Sequence, residues 1–211
     1  MKTSFALISD THGYRVTVPE ADVLLHAGDG TRMGTHAQVE DLAEWLGALP
    51  HEHKVFVPGN HDFACQQVTG WARDTFARQG VTMLVHEPLV VRGIRLFGSP
   101  WQPWFYDWAF NVRSEEERRR LWSQIPEDTQ VLVTHSPPYG VLDRCDDGRL
   151  VGCHALRERV DALPSLRLHL FGHIHESYGT LVRDGRTFVN AACCTLAYQP
   201  TQLAIVLDLE T

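Results

Sequence analysis

The sequence has 211 residues, of which 44% are hydrophobic and 21% are charged, and its formal net charge is -7. This composition fits one ordinary globular domain, residues 1–211, with enough apolar surface for a full core. The acidic balance and the lack of a basic stripe argue against a long nucleic acid as partner. No apolar run is long enough for a signal peptide or a membrane span, and an odd number of cysteines fits a reducing compartment. We therefore expect a cytoplasmic protein.

In the first part of the chain, apolar runs predict strands that alternate with helices. A capping box at Thr35 and Gln38 starts the first predicted helix, which ends at Pro50, and residues 68–79 form a second helix closed by Gly80. The predicted strands are uninterrupted apolar runs, as in a largely parallel sheet buried on both faces. They are Phe5–Ser9, Asp22–Ala27 and Lys54–Val57.

Beyond residue 80 the pattern changes. Short strands at 81–85, 89–91 and 94–97 lie close together and indicate an antiparallel portion or a second sheet. An aromatic segment, residues 99–111, precedes a capped helix from Ser114 to about Gln124. Further strands are predicted at 131–133, 166–171, 179–182, 187–191 and 202–207, with a helix carrying Leu156, Val160 and Leu163. We see no repeat or linker, so the sequence predicts one domain.

Five of these apolar runs end in a side chain that can bind a metal ion. The five are Asp10, Asp29, Asn60, His135 and His173. Two of the ends carry a second histidine two residues later, His12 and His175, and one carries the adjacent His61. Each end alone has an ordinary explanation as a turn or a cap. Their repetition is hard to explain by core packing and predicts a shared site at one edge of a sheet.

The types of donor atom limit which metal ions the site can bind. Two aspartates, an asparagine and four histidines, with no thiolate, favour Mn²⁺, with Fe or Zn²⁺ as alternatives. The five cysteines show no metal-binding spacing and are interpreted as packing thiols. Seven ligands exceed the need of one ion, whereas two ions about 3.5–4 Å apart that share a carboxylate would use them fully. Such two-metal sites act on phosphate esters or peptide bonds.

Five motifs that contain these residues, taken in chain order, resemble those of the calcineurin-like metallophosphoesterase superfamily. The motifs are Asp10-x-His12, Gly28-Asp29, Gly59-Asn60-His61-Asp62, His135 and Gly172-His173-x-His175. Several loops further resemble its metallophosphoesterase-domain-containing (MPPED) branch, which is linked to class III cyclic nucleotide phosphodiesterases. These loops are residues 98–105, 135–140, 171–176 and 190–200.

The resemblance implies a fold and a set of roles. The fold is α/β, a four-layer α/β/β/α sandwich of two mixed β-sheets flanked by helices. Asp29 would bridge two divalent metal ions, and His61 would lie near the leaving group. The first ion would be held by Asp10, His12 and His175, and the second by Asn60, His135 and His173.

The mechanism expected from this set is attack of a metal-bridging hydroxide on phosphorus, with His61 protonating or stabilising the leaving oxygen. Asp62 is predicted to hold the tautomer of His61. His26, inside a predicted strand, is interpreted as a core or supporting histidine rather than a ligand.

The substrate is the least determined feature. Aromatic side chains of the segment 99–111 are either a stacking wall for a base or packing between the sheets and a loop. They are Trp101, Trp104, Phe105, Tyr106 and Trp108, of which Trp101, Trp104 and Tyr106 are our candidate substrate contacts. We expect hydrolysis of small phosphodiesters, with cyclic nucleotides among the candidates. The alternatives are a phosphomonoesterase or protein phosphatase, a nuclease, and a binding scaffold without catalysis.

Overall fold

A computed structural model describes residues 2–210. In chain order its strands are β1 (Lys2–Ile8), β2 (Val23–His26), β3 (His53–Phe56), β4 (Thr82–Met83), β5 (Glu87–Val91), β6 (Ile94–Ser99), β7 (Gln102–Pro103), β8 (Asn111–Val112), β9 (Val131–Thr134), β10 (Leu168–Phe171), β11 (Gly179–Arg183), β12 (Arg186–Asn190) and β13 (Ile205–Glu210). Its helices are α1 (His36–Ala48), α2 (Phe63–Gln67), α3 (Thr69–Arg78), α4 (Glu115–Trp122) and α5 (His154–Ala162), and a 3-10 turn covers His175–Ser177.

Eleven of these thirteen strands form two mixed sheets, and β7 and β8 pair with each other as a parallel two-stranded sheet. The first has the order β13-β1-β2-β3-β4, in which β13 runs antiparallel to β1 and the other neighbours are parallel. The second has the order β11-β12-β10-β9-β6-β5, with a parallel centre and antiparallel strands at both edges. The antiparallel pair β5–β6 is the portion that the closely spaced short strands of the sequence predicted.

Three apolar clusters separate four layers. Successive residues of a strand face opposite sides of its sheet, so Leu7 packs between the two sheets while its neighbour Ile8 packs outward. Helices α1, α2 and α3 cover the outer face of the first sheet, and α4 and α5 cover that of the second. The predicted α/β/β/α sandwich of two mixed sheets is therefore confirmed.

The differences from the sequence prediction concern short elements and element ends, and the two-residue strands β7 and β8 were missed. The short helix α2 was missed, and a break at Val68, with φ -134° and ψ 55°, separates it from α3. The last strand begins at Ile205 rather than at 202. The side chain of Gln202 instead donates hydrogen bonds to the carbonyls of Ala192 and Cys194 at 2.8 and 2.9 Å, which holds this stretch as a loop.

The two sheets meet where their parallel strands end. Ser9, just after β1, forms a parallel bridge to Ala192, just after β12. The backbone N–H of Asp10 donates to the carbonyl of Gly28 at 2.8 Å, so the loops after β1 and β2 are also joined. The carboxyl ends of strands from both sheets thus lie at one edge of the sandwich, and the chemically active side chains follow them directly.

Candidate metal centre

All seven predicted ligand residues lie together at this edge. The first sheet supplies Asp10 and His12 after β1, Asp29 after β2 and Asn60 after β3. The second sheet supplies His135 after β9, and His173 and His175 after β10. All of them are buried except His173, which is half-buried. One group of side chains is therefore assembled from both sheets, although its members are up to 165 residues apart in sequence.

Four of these residues have a left-handed backbone. The φ angles are 50° at Asp10, 46° at His12, 53° at Asp29 and 66° at His173. Non-glycine residues adopt this region at a cost, and it persists where surrounding contacts enforce it. Here the backbone N–H of His12 donates to the carbonyl of Asp29 at 2.9 Å, and that of His173 donates to a carboxylate oxygen of Asp10 at 2.9 Å. The backbone is strained in the same place where the side chains converge.

Three glycines allow this convergence. A Cβ on Gly172 would lie 1.9 Å from a carboxylate oxygen of Asp10, and one on Gly59 would lie 2.3 Å from a carboxylate oxygen of Asp29. A Cβ on Gly28 would lie 2.5 Å from Nδ1 of His135, and its φ of 102° is also unfavourable for other residues. The glycines that precede Asp29, Asn60 and His173 are therefore required by close packing behind the site.

The donor atoms form three overlapping groups. Within each group the ring nitrogens and carboxylate oxygens all lie within 4.8 Å of one another. Asp29 belongs to two groups and His12 to two, so the groups are contiguous. They are Asp10–His12–His175, His12–Asp29–His61 and Asp29–His135–His173.

The orientation of two histidines fits a metal ion. Nδ1 of His135 faces the carbonyl oxygen of Ala27 at 2.9 Å, and Nδ1 of His175 faces that of Thr195 at 3.0 Å. A carbonyl accepts, so both Nδ1 atoms carry the proton and each neutral ring has its lone pair on Nε2. Those Nε2 atoms point at further acceptors. Each Nε2 therefore needs a proton or a metal ion between it and these acceptors.

The acceptors that face these lone pairs are close. Nε2 of His135 lies 2.9 Å from Oδ1 of Asn60 and 3.4 Å from Oδ2 of Asp29. Nε2 of His175 lies 3.2 Å from Oδ1 of Asp10 and 3.3 Å from Nε2 of His12. Oxygen and imidazole donors of this kind suit Mn²⁺, Fe and Zn²⁺. The described side chains therefore fit two divalent ions, and Asp29 is common to two of the three donor groups.

The pKa values of the buried donor residues also favour a positive charge at this site. Burial by itself lowers the pKa of His135 and His175, but Asp29 beside the first and Asp10 beside the second raise both pKa values to about 9. Burial opposes ionisation of Asp10, and the hydrogen bond and charge of His175 nevertheless bring its pKa below the usual value. The buried carboxylates thus attract positive charge, which a metal ion supplies in place of protons.

Two buried histidines support the ligand loops from inside the sheets. Nε2 of His26 lies 2.9 Å from Oγ1 of Thr11, which sits between Asp10 and His12. Nε2 of His169 lies 2.9 Å from Oγ1 of Thr134, which precedes His135. Burial lowers the pKa of both imidazoles to about 3, so they are neutral. His26 is a supporting histidine, as the sequence predicted.

His61 is fixed by a backbone group rather than by Asp62. Its Nδ1 donates to the carbonyl of Arg32 at 2.6 Å, which leaves Nε2 on the side of Asp29, 3.8 Å from Oδ2. The prediction that Asp62 holds the tautomer of His61 is wrong, because the carboxylate of Asp62 is engaged elsewhere. It accepts from the backbone N–H groups of Gly59 and Thr31 at 2.7 and 2.9 Å. Asp62 therefore joins the loops after β2 and β3.

Burial, followed by the charge of Asp29, raises the pKa of Asp62 to about 6. The hydrogen bonds from Gly59 and Thr31 act in the opposite direction and favour the carboxylate. Asp62 acts on the site through the loops that it joins.

Above the donor groups lies a cavity of about 570 Å³, which we call the aromatic cavity. Trp104, Phe105 and Trp108 form part of its wall, and Tyr198 and Arg149 also line it. Trp108 lies 4.2 Å from the ring of His61. The aromatic segment thus contributes to the site, and Trp104 is placed as predicted.

The other two predicted substrate contacts, Trp101 and Tyr106, do not line the aromatic cavity. Trp101 is partly buried against the apolar clusters on the outer faces of both sheets, and its ring lies edge-on to that of Phe110 with the ring centres 5.6 Å apart. Tyr106 is 67% exposed beside Phe105 and does not line the cavity either. Arg149 and Tyr198 were missed, since isolated residues in long loops carry no pattern that marks them.

Comparison with known proteins agrees with this geometry. Residues 3–177 match the family model described as calcineurin-like phosphoesterase. The chain is 39% identical over 233 residues to human metallophosphoesterase domain-containing protein 1, which covers 99% of this chain and 72% of the human protein.

Two further matches are more distant. A 3',5'-cyclic-nucleotide phosphodiesterase from Nostoc is 28% identical over 164 residues, covering 76% of this chain and 58% of that protein. A solved structure of a dimetal phosphatase from Danio rerio superimposes with a TM-score of 0.59 at 12% identity, covering 98% of this chain and 91% of that one. This last match shows the shared fold alone. Across residues 2–210, no helix is long and apolar enough to cross a membrane.

Proposed function

The chain belongs to the calcineurin-like phosphoesterase family, and on that premise we propose that it hydrolyses small phosphodiesters, with cyclic nucleotides among its substrates. The observation that carries the proposal is the cavity of about 570 Å³, which has imidazole and carboxylate donors at its base and aromatic rings in its wall. A cavity of this size suits a nucleotide-sized ligand. The name of the Nostoc relative, a 3',5'-cyclic-nucleotide phosphodiesterase, supports the same substrate class.

We assign the ligands as two sets that share Asp29. Asp10, His12 and His175 would hold one ion, and Asn60, His135 and His173 the other. Mn²⁺ is our first choice, with Fe or Zn²⁺ as alternatives. When bound, such ions lower the pKa of water and neutralise charge that develops on phosphoryl oxygens.

The chain itself supplies orientation and a proton. Since Nδ1 of His61 donates to the carbonyl of Arg32, Nε2 is the atom that can carry and release a proton at the site. We assign to it the protonation of the leaving oxygen, a role worth about 10²–10⁴-fold in rate. The backbone N–H of His61 donates to Oδ1 of Asp29 at 2.8 Å, so the proton donor and the shared carboxylate are held in one arrangement.

The rest of the cavity selects the substrate. Trp104 and Trp108 offer faces on which a base or an aryl group can stack. The formal net charge of -7 disfavours a polynucleotide, whereas a small anion needs only local positive charge. A small phosphodiester with one aromatic ester group fits both the tryptophan faces and the local positive charge.

The test is a substrate panel with enzyme loaded with Mn²⁺, Fe²⁺ or Zn²⁺. We expect bis(4-nitrophenyl) phosphate and 3',5'-cyclic AMP to be cleaved, with kcat/KM well above that for 4-nitrophenyl phosphate. A much faster reaction with the monoester would overturn the diesterase in favour of a phosphomonoesterase. Fewer than one ion per chain after loading, together with no hydrolysis, would instead indicate a binding scaffold. Metal-stripped protein is the control.

A further inference from the structure

A second cavity lies next to the aromatic cavity. Its volume is about 420 Å³, and we call it the arginine cavity. His61 and Tyr198 line both cavities. The residues that line the arginine cavity but not the aromatic cavity are His12, Tyr14, Arg32, Met33, Ala197 and Gln199. His12, Tyr14 and Arg32 also line a third cavity of about 410 Å³ beside helix α1.

The shared wall contains the proposed proton donor. The ring of His61 lies 4.2 Å from Trp108 on the side of the aromatic cavity and 4.7 Å from His12 on the side of the arginine cavity. The ring of Tyr198 lies 4.7 Å from that of His12. A phosphate group beside His61 would therefore have the aromatic cavity on one side and the arginine cavity on the other.

Among the described residues 2–210, Arg32 is held in place without a carboxylate partner. Its Nε donates to the carbonyl of His12 at 3.2 Å, one Nη donates to the hydroxyl of Tyr14 at 2.7 Å, and the guanidinium lies 5.1 Å from the centre of the Tyr14 ring. Nearby Arg15, by contrast, is paired with Asp41 at 2.6 Å. Within residues 2–210 the other N–H groups of Arg32 have no protein acceptor, so a fixed and always charged guanidinium is free to bind an anion.

We propose that the arginine cavity binds the second ester arm of an acyclic phosphodiester, and that Arg32 binds an anionic group, a phosphate or a carboxylate, on that arm. This inference rests on the proposed diesterase function and specifies its substrate. A cyclic nucleotide has both ester oxygens on one ribose and fills only one cavity. An acyclic diester has two separate arms, one for each cavity. Met33, which is 62% exposed, adds apolar contact for the alkyl part of the second arm.

The test varies only the second arm. The probes are 4-nitrophenyl diesters whose other arm is butyl, 3-carboxypropyl or 2-phosphonoethyl, so that the leaving group is the same in each. With metal-loaded wild type, we expect kcat/KM for the two charged probes to exceed that for the butyl probe about tenfold, mostly through KM, which corresponds to about 1.4 kcal/mol. Comparison of the carboxylate with the phosphonate tells which anion the cavity prefers.

Variants assign the effect to one side chain. Arg32→Met removes the charge but leaves the backbone carbonyl that holds His61, and we expect the ratio of charged to butyl probe to fall to about one. Arg32→Lys should restore part of the ratio. Arg15→Met removes an equal charge from a residue that does not line the cavity, and it should leave the ratio as in wild type. An unchanged ratio in Arg32→Met, or equal wild-type rates for all probes, would overturn the proposal.

A binding measurement separates this inference from the proposed function. The butyl and 3-carboxypropyl esters of 4-nitrobenzylphosphonate lack the cleavable aryl ester, and their dissociation constants are measured by calorimetry. Tighter binding of the carboxylate by wild type but not by Arg32→Met supports the arginine cavity even if no diester is hydrolysed, in which case the proposed function alone fails. Equal binding of both esters by an active enzyme means that this inference alone fails.

Discussion

The base and the wall of the aromatic cavity are built in opposite ways. At the base, Asp29, Asn60 and His175 are no more than 8% exposed, and each lies in a segment that follows a strand of one of the two sheets. In the wall, Trp104 and Phe105 are about half exposed, at 45% and 49%, and lie in a loop. The base is fixed by the sandwich itself, whereas the wall is attached to it.

The loop that forms the wall is held mainly by hydrogen bonds within the loop itself. The side chain of Asn111 donates to the carbonyls of Tyr106 and Trp108 at 2.8 and 2.9 Å, which closes the aromatic loop on itself. One backbone bond, from the N–H of Ala109 to the carbonyl of Asn60 at 3.1 Å, connects it to the base. We expect substitutions at the base to abolish metal binding or folding, and substitutions in the wall to change substrate binding only.

The largest effect is expected for Asp29→Ala, because two of the three donor groups use Asp29. Metal affinity should fall more than about 100-fold, since a ligand contributes more than the groups that orient it. Metal per chain, measured by mass spectrometry after gel filtration, should fall below one ion, with activity at background. Asp41→Ala, at an exposed aspartate, is the control with full metal content. Retention of two ions by Asp29→Ala would refute the shared carboxylate.

His61→Ala separates catalysis from metal binding at the same base. We expect both ions to remain bound while kcat falls about 10²–10⁴-fold for alkyl leaving groups, which need a proton, and less for 4-nitrophenolate. The exposed His36→Ala serves as the matched control. If His61→Ala and Asp29→Ala had equal metal content and equal rates, the assignment of their different roles would be wrong.

Gly172→Ala tests how closely the base is packed. Its Cβ would meet Oδ2 of Asp10 at 1.9 Å and Oγ of Ser9 at 2.2 Å, so the free energy of unfolding should fall by about 1–3 kcal/mol. Gly70→Ala in helix α3, with nothing within 4 Å, should instead stabilise the fold by up to about 1 kcal/mol. Urea unfolding measures both, and equal midpoints for the two variants would count against close packing.

The smallest effect is expected in the wall. Trp104→Ala should raise KM for a nucleotide substrate roughly fivefold at nearly constant kcat, since base stacking on a half-exposed ring is worth about 1 kcal/mol. Tyr106→Ala should stay within about twofold of wild type, because that ring does not line the cavity. Steady-state kinetics distinguish the two, and a larger loss in Tyr106→Ala would reverse the placement of these side chains.

The sequence was most informative where chemistry coincides with regular structure. Asp10, Asp29, Asn60, His135 and His173 each follow an apolar run, and parallel strands bring their carboxyl ends to one edge. The repetition therefore predicted their meeting without any knowledge of distances. Helix α2 was missed because five residues leave too short a pattern to read.

Where side chains in loops choose among several partners, the sequence was not sufficient. Asp62 follows His61 directly, yet its carboxylate turns to Gly59 and Thr31 while the carbonyl of Arg32 holds the imidazole. Trp101 and Trp104 are three residues apart, but one packs into the core and the other lines the cavity.

By itself, the sequence determined a largely parallel sheet with an antiparallel portion or second sheet, and the candidate donor residues at the strand ends, because both follow from the apolar runs and from the direction of parallel strands. The four-layer arrangement was implied by the family resemblance. Only the tertiary structure decided which backbone group orients His61, which aromatic rings line the cavity, and that Arg32 has no carboxylate partner in the described part of the chain. Those outcomes depend on contacts between loops that are distant in sequence, and such contacts exist only once both sheets have packed together.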